Sequence, residues 1–224
     1  VVTGMMGATM TGFGIDVAGG PAGAFVAVAL GTEFGKMVSK ETKVDILVTP
    51  AVTLIMGGIG AKLIGPAIGW CMLKLGDLIM TATEWQPFVF GIVISVVVGL
   101  ALTAPISSAA LCIMLDLSGL AAGAATVGCC AQMVGFAVAS YKENGVGGLV
   151  AQGLGTSMLQ ISNIIKNPWI LLPATLAGAI VGPISTCLLK MTNIPVGAGM
   201  GTSGLVGQIG TFTDMGFTLD TLWK

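Results

Sequence analysis

The sequence has very few charged side chains. Only 8% of its 224 residues are charged, whereas a soluble domain carries roughly 25%. Surface that faces water needs charged and polar side chains, so this chain has little such surface. A large soluble core does not explain the deficit, because its helices would still need polar outer faces. The composition therefore predicts an integral membrane protein whose main environment is the lipid bilayer.

Histidine and arginine are also absent, and all nine basic residues are lysines. Without His, this chain alone cannot form a Ser–His or Cys–His catalytic pair, so we assign no catalytic residue. The lack of Arg and a net charge of −1 argue against a nucleic-acid partner. The five cysteines lie in apolar runs without metal-ligand spacing. We interpret them as ordinary small buried residues and expect no metal and no cofactor.

Glycine and apolar residues are abundant: 35 residues are Gly, and 54% of the chain is hydrophobic. Residues 88–103 and 119–141 carry no charge. In lipid the backbone must pair its own N–H and C=O groups, which favours helices, and the alternation of a β-barrel is absent. Gly lets helices approach closely and also permits breaks. We therefore predict an all-α, polytopic integral membrane protein with about six to eight membrane segments, including re-entrant hairpins.

Other boundaries follow from the hydropathy pattern. The loop over residues 33–45 contains three lysines and is predicted to be cytoplasmic. The chain begins with Val and has no charged leader. We expect a single membrane domain over residues 1–224 that is a fragment lacking N-terminal helices. Further spans are predicted over residues 17–34, 46–60 and 169–189, an interfacial helix over 67–83, and a polar turn over 142–145.

The segment over residues 147–167 is too polar for a lipid-facing span and too apolar for a water-exposed loop. A re-entrant hairpin that lines a cavity fits this composition. Amides and hydroxyls both donate and accept hydrogen bonds, which suits the hydroxyl groups of a sugar. Interhelical hydrogen bonding is the structural alternative for the same side chains. The predicted lining of the cavity is Ser107, Ser108, Gln132, Thr156, Ser157, Gln160 and Asn163.

Three ionisable residues interrupt apolar stretches: Asp16, Lys62 and Asp116. A charge inside the bilayer is costly unless it is paired, so such residues are functional candidates. Lys62 can instead extend to an interface, and Asp116 can mark a helix end. Asp16 lies between two Gly-rich segments and joins the predicted substrate-binding set, with a boundary position as the alternative.

Two pairs of similar segments within the sequence raise the hypothesis of an internal repeat. TPAVTL followed by LIGPAIG matches LPATLA followed by IVGPIST, and VTGMMGATMTGFG matches VGAGMGTSGLVGQ. Gly- and Ala-rich sequence also produces such matches by chance. If the duplication is genuine, paired units with interrupted helices indicate a transporter whose substrate site lies where the helices break.

The runs KVDILVTPAVTLIMGGIGAKLIGPAIG and PFVFGIVISVVVGLALTAPISSAALCIMLDLSGLAAGAA carry a family resemblance, as does GAGMGTSGLVGQI near the C-terminus. The chain resembles the enzyme IIC membrane subunits of bacterial phosphotransferase sugar transporters, in the branch that includes toxin-regulator membrane proteins. The resemblance implies a multi-pass homodimer in the bacterial inner membrane, with a sugar site in its core. It also implies cytoplasmic phosphotransferase components as partners.

The chain departs from this family in one important respect. Typical members carry a Glu-containing motif in the hairpin, whereas residues 153–168 contain no Glu, and the His of some members is missing. Phosphoryl transfer to a sugar needs a group that accepts the hydroxyl proton. We predict an enzyme IIC-like permease for a sugar or other small polar solute. The alternative is a membrane sensor or regulator of the same fold without phosphorylation-coupled transport. A channel is a third hypothesis, but no filter motif or acidic ring supports it.

Overall fold

The computed structural model describes residues 1–11, 19–41, 44–104 and 107–223. These residues form 13 α-helices, several short 3₁₀ and π turns, and no named β-strand, which confirms the all-α class. The α-helices are α1 Val2–Thr9, α2 Gly20–Val38, α3 Asp45–Leu63, α4 Gly65–Trp85, α5 Pro87–Thr103, α6 Ser108–Met114, α7 Gly119–Ala139, α8 Tyr141–Val150, α9 Ile161–Lys166, α10 Leu171–Pro183, α11 Pro195–Ala198, α12 Val206–Met215 and α13 Leu219–Trp223.

The chain divides into two compact units, Val1–Leu75 and Gly76–Lys224. In the first unit, α2 buries small residues at every fourth position: Gly23, Ala27, Gly31 and Gly35. This spacing places them on one face of the helix. A Cβ on Gly31 would lie 2.6 Å from the carbonyl oxygen of Thr53, so α2 and α3 meet backbone to backbone. Close approach through small residues is the expected association mode of membrane helices.

The core of the second unit consists of α5, α7 and α10. Small residues dominate the buried side chains of α7, among them Ala121, Ala125 and Gly128. A Cβ on Gly128 would overlap the backbone of Ser95 in α5. The Ser95 hydroxyl donates a 2.7 Å hydrogen bond to the carbonyl oxygen of Gly178 in α10. Small residues thus bring the three helices together, and one hydroxyl bonds two of them.

Among the described residues, three helical segments are long and apolar enough to cross a membrane: Asp45–Leu63, Gly119–Ala139 and Pro168–Leu189. The 17-residue helix Pro87–Thr103 is apolar but shorter. Many large apolar side chains are exposed, including Phe25 at 75% and Ile46 at 85%. Such a surface suits lipid rather than water. The finer prediction of six to eight membrane segments stays a prediction.

The structure differs from the sequence-based expectations in two details. Cys71 and Cys187 are exposed, although the cysteines were expected to be buried. Cys112 is buried as expected, and burial raises the pKa of its thiol to about 12. The expected polar turn over residues 142–145 is helical up to Asn144, because α8 begins at Tyr141, and the chain kinks at Gly145. Gly145 has φ +59°, which Gly adopts at no steric cost.

Candidate functional site

The polar segment predicted as a hairpin is a series of short helical pieces. A π turn over Ala151–Gly155 follows α8, and a 3₁₀ turn over Ser157–Gln160 leads into α9. Thr156 separates the two turns in an extended conformation, with φ −161° and ψ 141°. Interrupted helices of this kind are tolerated at membrane depth where they line a cavity or are buried in protein. Re-entry into the bilayer itself stays a prediction.

Side-chain amides form a continuous hydrogen-bonded series along this segment. Asn163 Nδ2 donates to Gln160 Oε1 at 2.8 Å, and Gln160 Nε2 donates to Gln152 Oε1 at 3.0 Å. Gln152 Nε2 then donates to Ser140 Oγ at 2.9 Å. Gln152 and Gln160 are only 3% and 6% exposed. Because buried amides are costly without partners, these bonds hold the series in one arrangement.

A cavity of about 440 Å³ is lined by both ends of this series, Asn163 with Gln160 and Ser140. Gln160 and Asn163 contribute amides to its wall, and Glu143 contributes the one carboxylate among its described lining residues. The full lining is Phe136, Ala139, Ser140, Glu143, Asn144, Gln160, Asn163, Ile170 and Pro173. The volume lies within the range of small-molecule sites, about 300–1,000 Å³. Five of the nine lining residues are polar or charged, which is more polar than the mostly apolar lining typical of such sites.

Other members of the predicted set lie elsewhere or bond differently. Ser107 accepts a hydrogen bond from the Ala110 N–H and so caps the start of α6. Ser108 is buried and donates to the carbonyl oxygen of Gly199 at 2.6 Å. Neither serine lines the cavity next to Gln160. Asp16 lies outside the described residues.

Three further residues of the set are engaged in bonds within the protein. Gln132 Nε2 donates to Thr175 Oγ1 at 3.0 Å, from α7 to α10, while its Oε1 has no hydrogen-bond partner among the described residues. The hydroxyls of Ser157 and Thr103 are 3.1 Å apart. Thr156 Oγ1 accepts from the N–H of Met158. The Gln132 bond corresponds to the interhelical hydrogen bonding that was the alternative for this set, whereas the Thr156 bond is local.

Ser140, Glu143 and Asn144 are polar cavity residues that sequence reasoning missed. Glu143 lies at the end of an apolar span, where an acidic residue indicates a boundary and nothing more. It is 17 positions before Gln160, and no periodic pattern connects the two. The sequence signal for it is that Glu143 is the acidic residue nearest in sequence to the polar segment over residues 147–167. The family resemblance places a Glu-containing motif within residues 153–168, and Glu143 lies outside that range.

Asn193 is a second residue that the sequence did not reveal. It is fully buried, and its Nδ2 donates to Thr126 Oγ1 at 2.7 Å and to the carbonyl oxygen of Gly207 at 3.0 Å. Its Oδ1 accepts from the Ile194 N–H. The side chain therefore joins α7 to the Gly-rich C-terminal part of the chain.

Interrupted helices beside a partly polar cavity in an all-α membrane protein are typical of transporters, which bind their solutes at such breaks. The chain is a member of the phosphotransferase system EIIC family, whose model matches residues 1–223. It is therefore a membrane permease component of a phosphotransferase system in the general sense of that family. No curated protein and no solved structure gives a significant match.

Proposed function

We propose that this chain binds and translocates a neutral, hydroxyl-rich solute, a sugar, and that the cavity beside Gln160 holds it. The observation that carries the proposal is the joint presence of Gln160, Asn163 and Glu143 in one cavity wall. Amides donate and accept, and an ionised carboxylate accepts only, so together they match hydroxyl groups that do both. Apolar residues such as Phe136 and Pro173 would contact the faces of the sugar ring.

Glu143 gives the cavity a group that residues 153–168 do not contain. When a sugar hydroxyl attacks a phosphoryl group held by a donor protein, an O–P bond forms and the phosphoryl group leaves the donor. The hydroxyl proton then needs an acceptor within hydrogen-bond reach. We assign that role to the Glu143 carboxylate. This supports phosphorylation-coupled transport over a sensor of the same fold that lacks coupling.

Reconstitution separates these two functions. Proteoliposomes that contain the full chain are supplied with labelled neutral sugars, with and without phosphotransferase donor proteins. The proposal predicts accumulation of labelled sugar phosphate only when the donors are present. Sugar binding without any accumulation would support the sensor. Absence of both binding and uptake across a broad panel of sugars would overturn the proposed function.

Gln160→Leu tests the place of binding. The substitution removes a donor and an acceptor from the cavity wall while keeping a similar volume, so sugar affinity should fall about tenfold or more. Isothermal titration in detergent measures the affinity. Gln86→Leu is the matched control, because Gln86 is exposed between α4 and α5 and should leave affinity unchanged. Equal affinities for both variants and the parent protein would remove Gln160 from the site.

A further inference from the structure

The end of the π turn leaves backbone carbonyls, close to the amide series, that need partners from outside the turn. Because Thr156 is extended, the helical hydrogen bonding ends at this residue. The N–H of Thr156 makes the last bond, to the carbonyl of Ala151. The last carbonyls of a helix have no partner within the helix and must find one elsewhere. Two of these, the carbonyls of Gly153 and Gly155, find side-chain hydroxyls from a distant part of the sequence.

These hydroxyls belong to Thr202 and Ser203. Ser203 Oγ donates to the Gly155 carbonyl at 2.9 Å, and Thr202 Oγ1 donates to the Gly153 carbonyl and contacts Met133 Sδ at 3.4 Å. Positive φ angles at Gly201 and Gly204, +53° and +54°, form the tight turn that presents both hydroxyls. We call Thr202 and Ser203 the hydroxyl pair.

The turn that the hydroxyl pair binds also carries Gln152. This buried side chain accepts from Gln160 and donates to Ser140, so it fixes the orientation of the Gln160 amide at the cavity. Contacts therefore run from the hydroxyl pair through the π turn to Gln152 and on to Gln160. Each step in this series is a hydrogen bond or a covalent connection within a single short turn.

We propose that Thr202 and Ser203 are positioning residues for the sugar site, acting through the π turn and Gln152 rather than by touching the solute. The inference rests on the proposed function. A binding site whose polar groups are already held in place loses less entropy on binding, so loosening the turn weakens affinity. The same coupling means that a bound sugar should slow hydrogen exchange in the backbone around residues 201–205.

The test compares Thr202→Val/Ser203→Ala with the parent protein in the full chain. Thr202→Val keeps the shape but removes the donor, and the double variant should lose about tenfold in sugar affinity by isothermal titration. Thr202→Ser restores a donor and should bind nearly as the parent does. Thr213→Val is the matched control, because the exposed Thr213 hydroxyl donates within its own helix, to the Ile209 carbonyl, and its loss should leave affinity unchanged.

A cycle with Gln152→Leu distinguishes positioning from a general structural role. If the hydroxyl pair acts through Gln152, the protein that carries Thr202→Val/Ser203→Ala together with Gln152→Leu should lose no more affinity than Gln152→Leu alone. The inference would be overturned if the affinity losses of Thr202→Val/Ser203→Ala and Gln152→Leu added together. It would also be overturned if Thr202→Val/Ser203→Ala alone left the affinity unchanged. If the double variant does not fold, Ser203→Ala alone and the hydrogen-exchange comparison decide the question. A parent protein that binds no sugar would instead refute the proposed function.

Discussion

Backbone hydrogen-bonding groups find their partners in different ways in α7 and in two interrupted segments, residues 151–170 and 190–206. The 21 residues of α7 form one unbroken helix whose partners approach at Gly and Ala. The interrupted segments consist of pieces of three to six residues, and hydroxyls or amides meet carbonyls that a longer helix would pair. One region obtains its geometry from close packing, and the other obtains it from side-chain hydrogen bonds.

This difference separates stability from binding. Close packing between helix backbones leaves no side-chain polar group for a ligand, whereas polar side chains that pair with carbonyls can also pair with a solute. We therefore expect substitutions in α7 to affect folding first. Substitutions in the interrupted segments should affect binding at a smaller cost in stability, except where one side chain joins the two regions.

The largest expected effect comes from filling a contact between α7 and α5. Gly128→Val would drive a side chain into the backbone of Ser95, which cannot move as a flexible side chain could. Overpacking typically costs about 1–3 kcal/mol, and this site is at or beyond the upper end because a backbone must shift, so we expect loss of a monodisperse peak in detergent and of cooperative thermal unfolding. Gly147→Ala is the control, because a Cβ there meets no described atom within 4 Å. A folded Gly128→Val protein would contradict the close-packing account.

Asn193→Ala tests the side chain that joins the two regions. It removes the bonds to Thr126 and Gly207 and leaves the buried Thr126 hydroxyl with one fewer donor. We expect a loss of about 3 kcal/mol in the free energy of unfolding. Thermal denaturation in detergent measures the change. Thr192→Ala, one position earlier, should have a much smaller effect, and equal losses would show that Asn193 is not a special connection.

The smallest expected effect is a gain in stability within an interrupted segment. The backbone of Leu205 is in the left-handed region, with φ +60°, and its side chain is half exposed. That conformation costs a residue with a Cβ roughly 1–2 kcal/mol. Leu205→Gly should therefore raise the free energy of unfolding by about 1 kcal/mol. Val206→Gly is the control and should lower stability, because Val206 has an ordinary helical φ of −64°. A destabilised Leu205→Gly protein would show that Leu205 packing outweighs the strain.

The sequence predicted the parts of the fold that depend on composition and length. The predicted spans over residues 46–60, 88–103 and 119–141 correspond to α3, α5 and α7 within a few residues. Uncharged runs of this length can only be helices in lipid, so hydropathy suffices to place them. The family resemblance drawn from the same runs is confirmed by the family model over residues 1–223.

The candidate site was less predictable because its members are distant in sequence. The amides of Gln160 and Asn163 belong to one polar segment, and composition alone marked them. Glu143, Ser140 and the hydroxyl pair reach the same neighbourhood only after the chain folds, and no spacing rule connects them. The predicted set of Ser107, Ser108, Gln132, Thr156, Ser157, Gln160, Asn163 and Asp16 stays a prediction as a binding site.

The backbone contact between Gly128 and Ser95 has a consequence for any transport cycle. A contact made by side chains can change by rotating a χ angle, but one made by two backbones has no such freedom. The helices α5 and α7 therefore act as a fixed frame of reference within their unit. Whatever movement alternates access to the solute must be accommodated by hinges outside that pair.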